Sequence, residues 1–221
     1  MEATPDRSDT MARIEPFEKH SEQYEAWFDA FNAVYESELR ALSEVVPLSA
    51  HGVEIGVGSG LFAAPLGIGE GVEPSEAMAK RARDRGIEVE KGVAEELPLK
   101  SESYDFALMV TTICFVDDPE KSVREMMRIL KPRGKVIIGF VDLASPLGEI
   151  YRLHKDEDPF YRHATFYTAD QILRLLTEAG LVVERTLQTV FGALKEIERA
   201  QDPRDGHGEG GFVVIVASRP S

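Results

Sequence analysis

Between Gly52 and Val141, short apolar runs alternate with stretches of helical periodicity, and this rhythm limits the possible folds more than any other feature of the chain. Tyr104 to Thr112 is almost continuously apolar, and Lys135 to Val141 is rich in Val and Ile. Strands of that kind are buried on both faces, as happens when helices cover both sides of a parallel sheet. The remaining strands are read at Gly52 to Gly56, Gly71 to Glu73 and Ile87 to Gly92. Helices are expected at Leu61 to Leu66, from Pro74 and Ser75 to Arg85, and from Pro119 to Leu130, where Lys131-Pro132-Arg133-Gly134 stops the last of them.

Either side of this block the rhythm changes. Phe17 to Leu48 carries apolar residues at helical spacing, read as one or two helices ending before Pro47. Leu143 to Tyr167 mixes aromatics with charges and prolines, as an inserted cap would. A helix runs from Thr168, a good N-cap, to Ala179, where Gly180 ends it. Strands follow at Leu181 to Phe191 and Gly211 to Ser218, joined by a polar, glycine-rich loop over 200–210. Residues 1–13 read as a disordered start. Residues 14–221 read as a single domain, with N-terminal helices over 14–48 and the cap over 143–167.

The net charge of −14 argues against a nucleic-acid partner, which requires clustered Lys and Arg. A lone cysteine, Cys114, disfavours a disulfide-stapled secreted protein and points to the cytoplasm. No window approaches the ~18 apolar residues of a membrane span, and His and Cys show no paired ligand spacing, so neither a membrane nor a metal is expected.

Gly56, Gly58 and Gly60 follow the first strand and allow a sharp turn and close approach of backbone to a ligand. A dinucleotide fingerprint needs its third glycine five positions after the first, where this chain has Leu61. An NAD(P)-dependent oxidoreductase is disfavoured accordingly. Glu73 ends the next strand, where its carboxylate can accept both hydroxyls of a ribose.

The run Val53-Glu54-Ile55-Gly56-Val57-Gly58-Ser59-Gly60 resembles the first motif of the class I S-adenosylmethionine-dependent methyltransferases. Gly71-Val72-Glu73-Pro74-Ser75-Glu76-Ala77-Met78 resembles their ribose motif, and Gly92-Val93-Ala94-Glu95-Glu96-Leu97-Pro98-Leu99 their adenine motif. Tyr104-Asp105 and Arg128-Ile129-Leu130-Lys131-Pro132-Arg133-Gly134 fall in order after these, and the resemblance spans about residues 17 to 218. The small members similar to quinone- and sterol-modifying enzymes are the nearest group. The resemblance implies an α/β, Rossmann-like, doubly wound and mostly parallel seven-stranded sheet with a C-terminal antiparallel strand.

It also implies S-adenosyl-L-methionine as cofactor, with Gly56, Gly58 and Gly60 along its methionine part and Glu54 near its ammonium. Glu73 and Pro74 would border the ribose, Met78, Ala94 and Glu95 the adenine, and Thr111 the methionine or the reaction centre, with Tyr24 closing over the cofactor. Two positions depart from the family pattern: Val93 stands where an acid commonly accepts from the adenine amino group, and Arg133 replaces a usual glycine.

Methyl transfer from a sulfonium needs mainly alignment. A catalytic base is optional, and His163 in the cap is the candidate. Tyr24, Trp27, Phe28, Tyr151, Phe160, Tyr161, Phe166 and Tyr167 could line a pocket for a small hydrophobic or aromatic acceptor. The alternative is a methyltransferase-like domain that binds without turnover.

Overall fold

The computed structural model describes residues 7–220, with side chains from Arg13 onward. Eight strands form one sheet: β1 (Gly52–Ile55), β2 (Glu70–Val72), β3 (Glu88–Glu90), β4 (Tyr104–Val110), β5 (Leu130–Val141), β6 (Val182–Thr189), β7 (Arg204–Asp205) and β8 (Phe212–Ser218). Their order is β3-β2-β1-β4-β5-β8-β6-β7. β1 to β5 pair in parallel, and β8 inserts antiparallel between β5 and β6. This is the Rossmann-like sheet with one strand added: the polar segment expected as a loop contributes β7, two residues paired with the outer edge of β6.

Alternation along β4 shows why its sequence is apolar from Phe106 to Val110. Ala107 and Met109 pack into one layer with Met126 of α5 (Pro119–Ile129) and Ile172 of α7 (Ala169–Glu178). Phe106, Leu108 and Val110 enter the opposite layer with Leu42 of α3 (Asn32–Ser43) and Val214 of β8. Successive side chains of a strand point to opposite faces, so a strand covered on both sides has no polar positions to offer.

The helices start where the capping residues stand. Ser75 accepts from the Met78 amide at the start of α4 (Glu76–Asp84), and Asp118 from the Lys121 amide at the start of α5. Thr168 and Gln171 form a reciprocal capping box on α7. Within the cap, Ser145 opens α6 (Pro146–His154).

Three expectations change. The N-terminal segment forms three helices, α1 (Arg7–Lys19), α2 (Ser21–Ala30) and α3. The disorder expected over 1–13 therefore holds for no residue from Arg7 on, while 1–6 lie outside the described residues. The helix expected at Leu61 to Leu66 is a series of turns instead. Pro65 has no N–H to return to the Leu61 carbonyl, which accepts from the Tyr35 hydroxyl, and Gly67 turns the chain away at φ 71°.

Candidate functional site

Strand order reverses between β1 and β4, which pair with each other while their connections lead to opposite sides of the sheet. A crevice at the carboxyl ends of the strands is the geometric consequence of such a switch point. There the structure has a cleft of about 970 Å³, its open mouth included, which is the size of a small-molecule site. Tyr24, Glu54, Gly56, Gly58, Glu73, Pro74, Met78, Ala94, Glu95 and Thr111 all lie on its wall.

The three glycines divide by what a side chain would strike. At Gly56, with φ 69°, an added Cβ would sit 2.4 Å from Cγ2 of Thr112, and at Gly58, with φ 55°, it would meet only Met78, at 3.5 Å. Both face the cleft. Gly60 does not line it: its Cβ would fall 2.4 Å from Cδ1 of Ile87 and against Ala82. Of the three loop glycines it is the one that the structure sets against α4 and not on the cleft wall.

Two carboxylates meet at the loop. Glu73 is buried, and its Oε2 and Oε1 accept from the amides of Gly58 and Ser75, each at 2.9 Å. Burial pushes it up to about 7, partly offset by those amides. Glu54 is 1% exposed, and its Oε2 has no hydrogen-bond partner among the described residues. Burial, and then the charge of Glu73, hold it well above the usual carboxylate range, against the Ala63 amide. A buried acceptor without a donor is costly unless a ligand supplies one.

Thr111 follows β4 at φ 47°, a left-handed conformation seldom adopted by a β-branched residue. It lines the cleft and also a shallow hollow of about 290 Å³, its open mouth included, beneath the cap, shared with Cys114, Phe140, Tyr161, Phe166 and Tyr167. Tyr24 is drawn upward in pKa by burial, with the Thr111 side chain opposing the shift.

Sequence reasoning missed the roof. Arg13, Ile14 and Phe17 of α1 line the cleft, and α1 is fastened on both sides of it. Arg13 donates to the Val116 carbonyl at 2.7 Å and pairs with Asp117 at 3.3 Å. Glu18 accepts from the Ser75 hydroxyl at 2.6 Å and the Ala77 amide at 3.1 Å. Arg13 stood in the segment read as disordered, and no motif marks a helix that crosses a cleft.

At the end near Val93, Asp117 joins the wall, and Glu95 Oε1 accepts from the Asp117 and Asp118 amides at 2.6 and 3.2 Å. Glu95 thus shapes the loop that carries Asp117. His163 is exposed on the cap and absent from the cleft wall, with its charge felt by Glu15 on α1. The structure therefore does not bring this candidate base to the cleft. Trp27 and Phe28 pack into the helical layer, whereas Tyr24 reaches the cleft and Tyr161, Phe166 and Tyr167 the hollow.

Comparison with known proteins fits this architecture. The methyltransferase domain family matches residues 53–138. A structure from Thermotoga maritima, described as a SAM-dependent methyltransferase and possible histamine N-methyltransferase, is 48% identical with a TM-score of 0.91, covering 93% of this chain and 99% of that one. An uncharacterized protein of Methanocaldococcus jannaschii is 40% identical over 203 residues, 92% of this chain and 98% of its own length. A putative Haloferax volcanii methyltransferase, solved with its activator Trm112, shares the fold at a TM-score of 0.67 and 19% identity, covering 99% of this chain and 100% of that one. With its sheet order, its acid-flanked glycine loop and these relatives, the chain belongs to the class I S-adenosylmethionine-dependent methyltransferases.

Proposed function

We propose that the protein binds S-adenosylmethionine in the cleft above β1 and β4 and transfers its methyl group to a small molecule bound under the cap. The observation that carries this reading is the pair of buried carboxylates. Glu54 presents an oxygen without a donor, suited to the ammonium of the methionine part, and Glu73 presents acceptors suited to a ribose diol. When bound, the donor supplies an electrophilic methyl on a sulfonium. The chain supplies position: Gly56 and Gly58 let the backbone come close, and Met78 and Ala94 border the place for the adenine. Thr111 and Tyr24 stand where cleft and cap meet, and ring faces there attract a sulfonium. Arg13, Ile14 and Phe17 of α1 lie along the cleft wall. Binding in the cytoplasm of a small hydrophobic or aromatic acceptor is part of the same reading.

Calorimetry with S-adenosylmethionine and with NADH tests the donor, and transfer of labelled methyl to a metabolite extract tests the reaction. Binding of NADH alone would overturn the reading. Binding of S-adenosylmethionine without transfer to any acceptor would leave a binding domain.

A further inference from the structure

Among the described residues the cleft wall carries four carboxylates: Glu54, Glu73, Glu95 and Asp117. The first two serve the ammonium and the ribose in the reading above. The other two stand at the end where Val93 and Ala94 border the place for the base. An adenine there has a 6-amino group, whose hydrogens need an acceptor once water is displaced. Val93 offers none from its side chain, and its carbonyl accepts from the Glu96 amide at 3.2 Å, closing the turn. Glu95 is committed to the neighbouring loop, where its Oε1 accepts from the amides of Asp117 and Asp118 at 2.6 and 3.2 Å. That contact holds the main chain of Asp117 and leaves its side chain, 12% exposed, on the wall. Asp117 Oδ1 lies 3.3 Å from Nη1 of Arg13, which also donates to the Val116 carbonyl at 2.7 Å and to the Phe115 carbonyl at 3.3 Å. The carboxylate is thus set from two sides, by Glu95 through the backbone and by Arg13 through the roof. A carboxylate has about four acceptor positions, so the pair with Arg13 does not exhaust it.

We propose that Asp117 accepts from the 6-amino group of the donor's adenine, so that the choice of adenine over a 6-oxopurine is made by the loop after β4 and not at the end of β3. The proposal rests on the S-adenosylmethionine reading above. A carboxylate accepts and does not donate. It therefore favours an amino group and disfavours the carbonyl oxygen of hypoxanthine, where two acceptors would face each other in a site from which water is displaced. Glu95 is a positioning residue in this arrangement, acting through the amides of the loop that carries Asp117. Because Arg13 belongs to α1, the same carboxylate links the base to the roof. Asp117 sets which donor is bound and takes no part in the transfer of the methyl group.

Calorimetric titration with S-adenosylhomocysteine and S-inosylhomocysteine tests the assignment, since the two differ only in the 6-substituent and in the proton on the adjacent ring nitrogen. The wild-type protein is expected to bind the adenosyl compound at least about tenfold more tightly. In Asp117→Asn, whose amide can turn its NH2 group toward a carbonyl oxygen, that ratio is expected to fall to about threefold or less. Asp117→Ala is expected to weaken the adenosyl compound and to leave the inosyl compound within about threefold of wild type. Glu95→Gln is expected to weaken both together and to keep their ratio within about twofold of wild type. A ratio near one in the wild-type protein, which needs no variant to measure, would overturn the proposal. So would a wild-type ratio kept in both Asp117 variants, or a ratio lost in Glu95→Gln alone, which would place the acceptor on Glu95. In each of those cases the donor site stands. A wild-type protein that does not bind S-adenosylhomocysteine would instead overturn the donor reading itself, and this proposal with it.

Discussion

Binding of S-adenosylmethionine should tighten as pH rises from 6 to 8, and Glu73→Gln should remove most of that gain. In the ligand-free protein burial places Glu73 at about 7, so roughly one-tenth of it is ionised at pH 6 and about nine-tenths at pH 8. Both its oxygens already accept an amide hydrogen, and a ribose diol brings two further donors. Protonation would put a hydrogen where an acceptor is needed, so the ligand selects the carboxylate. Affinity should therefore rise about tenfold between these pH values from Glu73 alone, or about 1.4 kcal/mol. The ligand's own ammonium titrates in both proteins, so the difference between wild type and Glu73→Gln isolates the side chain. Calorimetry in buffers of different ionisation enthalpy should record proton release at pH 6 that is smaller in the variant. Equal pH profiles for the two proteins would refute the reasoning.

Other perturbations separate the roles of neighbouring residues. Gly60→Ala should lower stability by about 1–3 kcal/mol in urea unfolding, through the clash with Ile87 and a φ of 82°, with donor affinity changed less than about twofold. Arg133 occupies a glycine-favouring φ of 65°, so Arg133→Gly should gain about 0.5–1 kcal/mol, read as a higher Tm. Glu18→Ala should free one fastening of α1 and raise the dissociation rate of S-adenosylmethionine in stopped-flow measurements, more than it slows association. Glu38 is pushed up to about 8 by burial, so the native state holds its proton more tightly than the unfolded chain and loses stability as pH rises from about 4.5 to 8. Glu38→Gln should flatten that slope by up to about 1.4 kcal/mol per pH unit in denaturation series.

By itself the sequence determined the sheet and the first half of the site. Doubly buried strands such as Tyr104–Val110 admit few other arrangements, and Glu54, Gly56, Gly58 and Glu73 are local to strand ends whose positions the parallel order dictates. Only the tertiary structure decided what depends on segments far apart in the chain. The roof formed by α1 joins Arg13 to residues 115–117 and Glu18 to residues 75–77, contacts without a local pattern. That Gly60 and His163 stand off the cleft wall was not legible for a related reason: which way a loop residue faces depends on what packs beneath it, here Ile87 for the glycine and solvent for the histidine. Glu38 read as one more acid in an acidic chain. Its environment arises because α3 lies against β8 and β6, which close the sheet more than 140 residues later, and burial there removes the water that would otherwise solvate it.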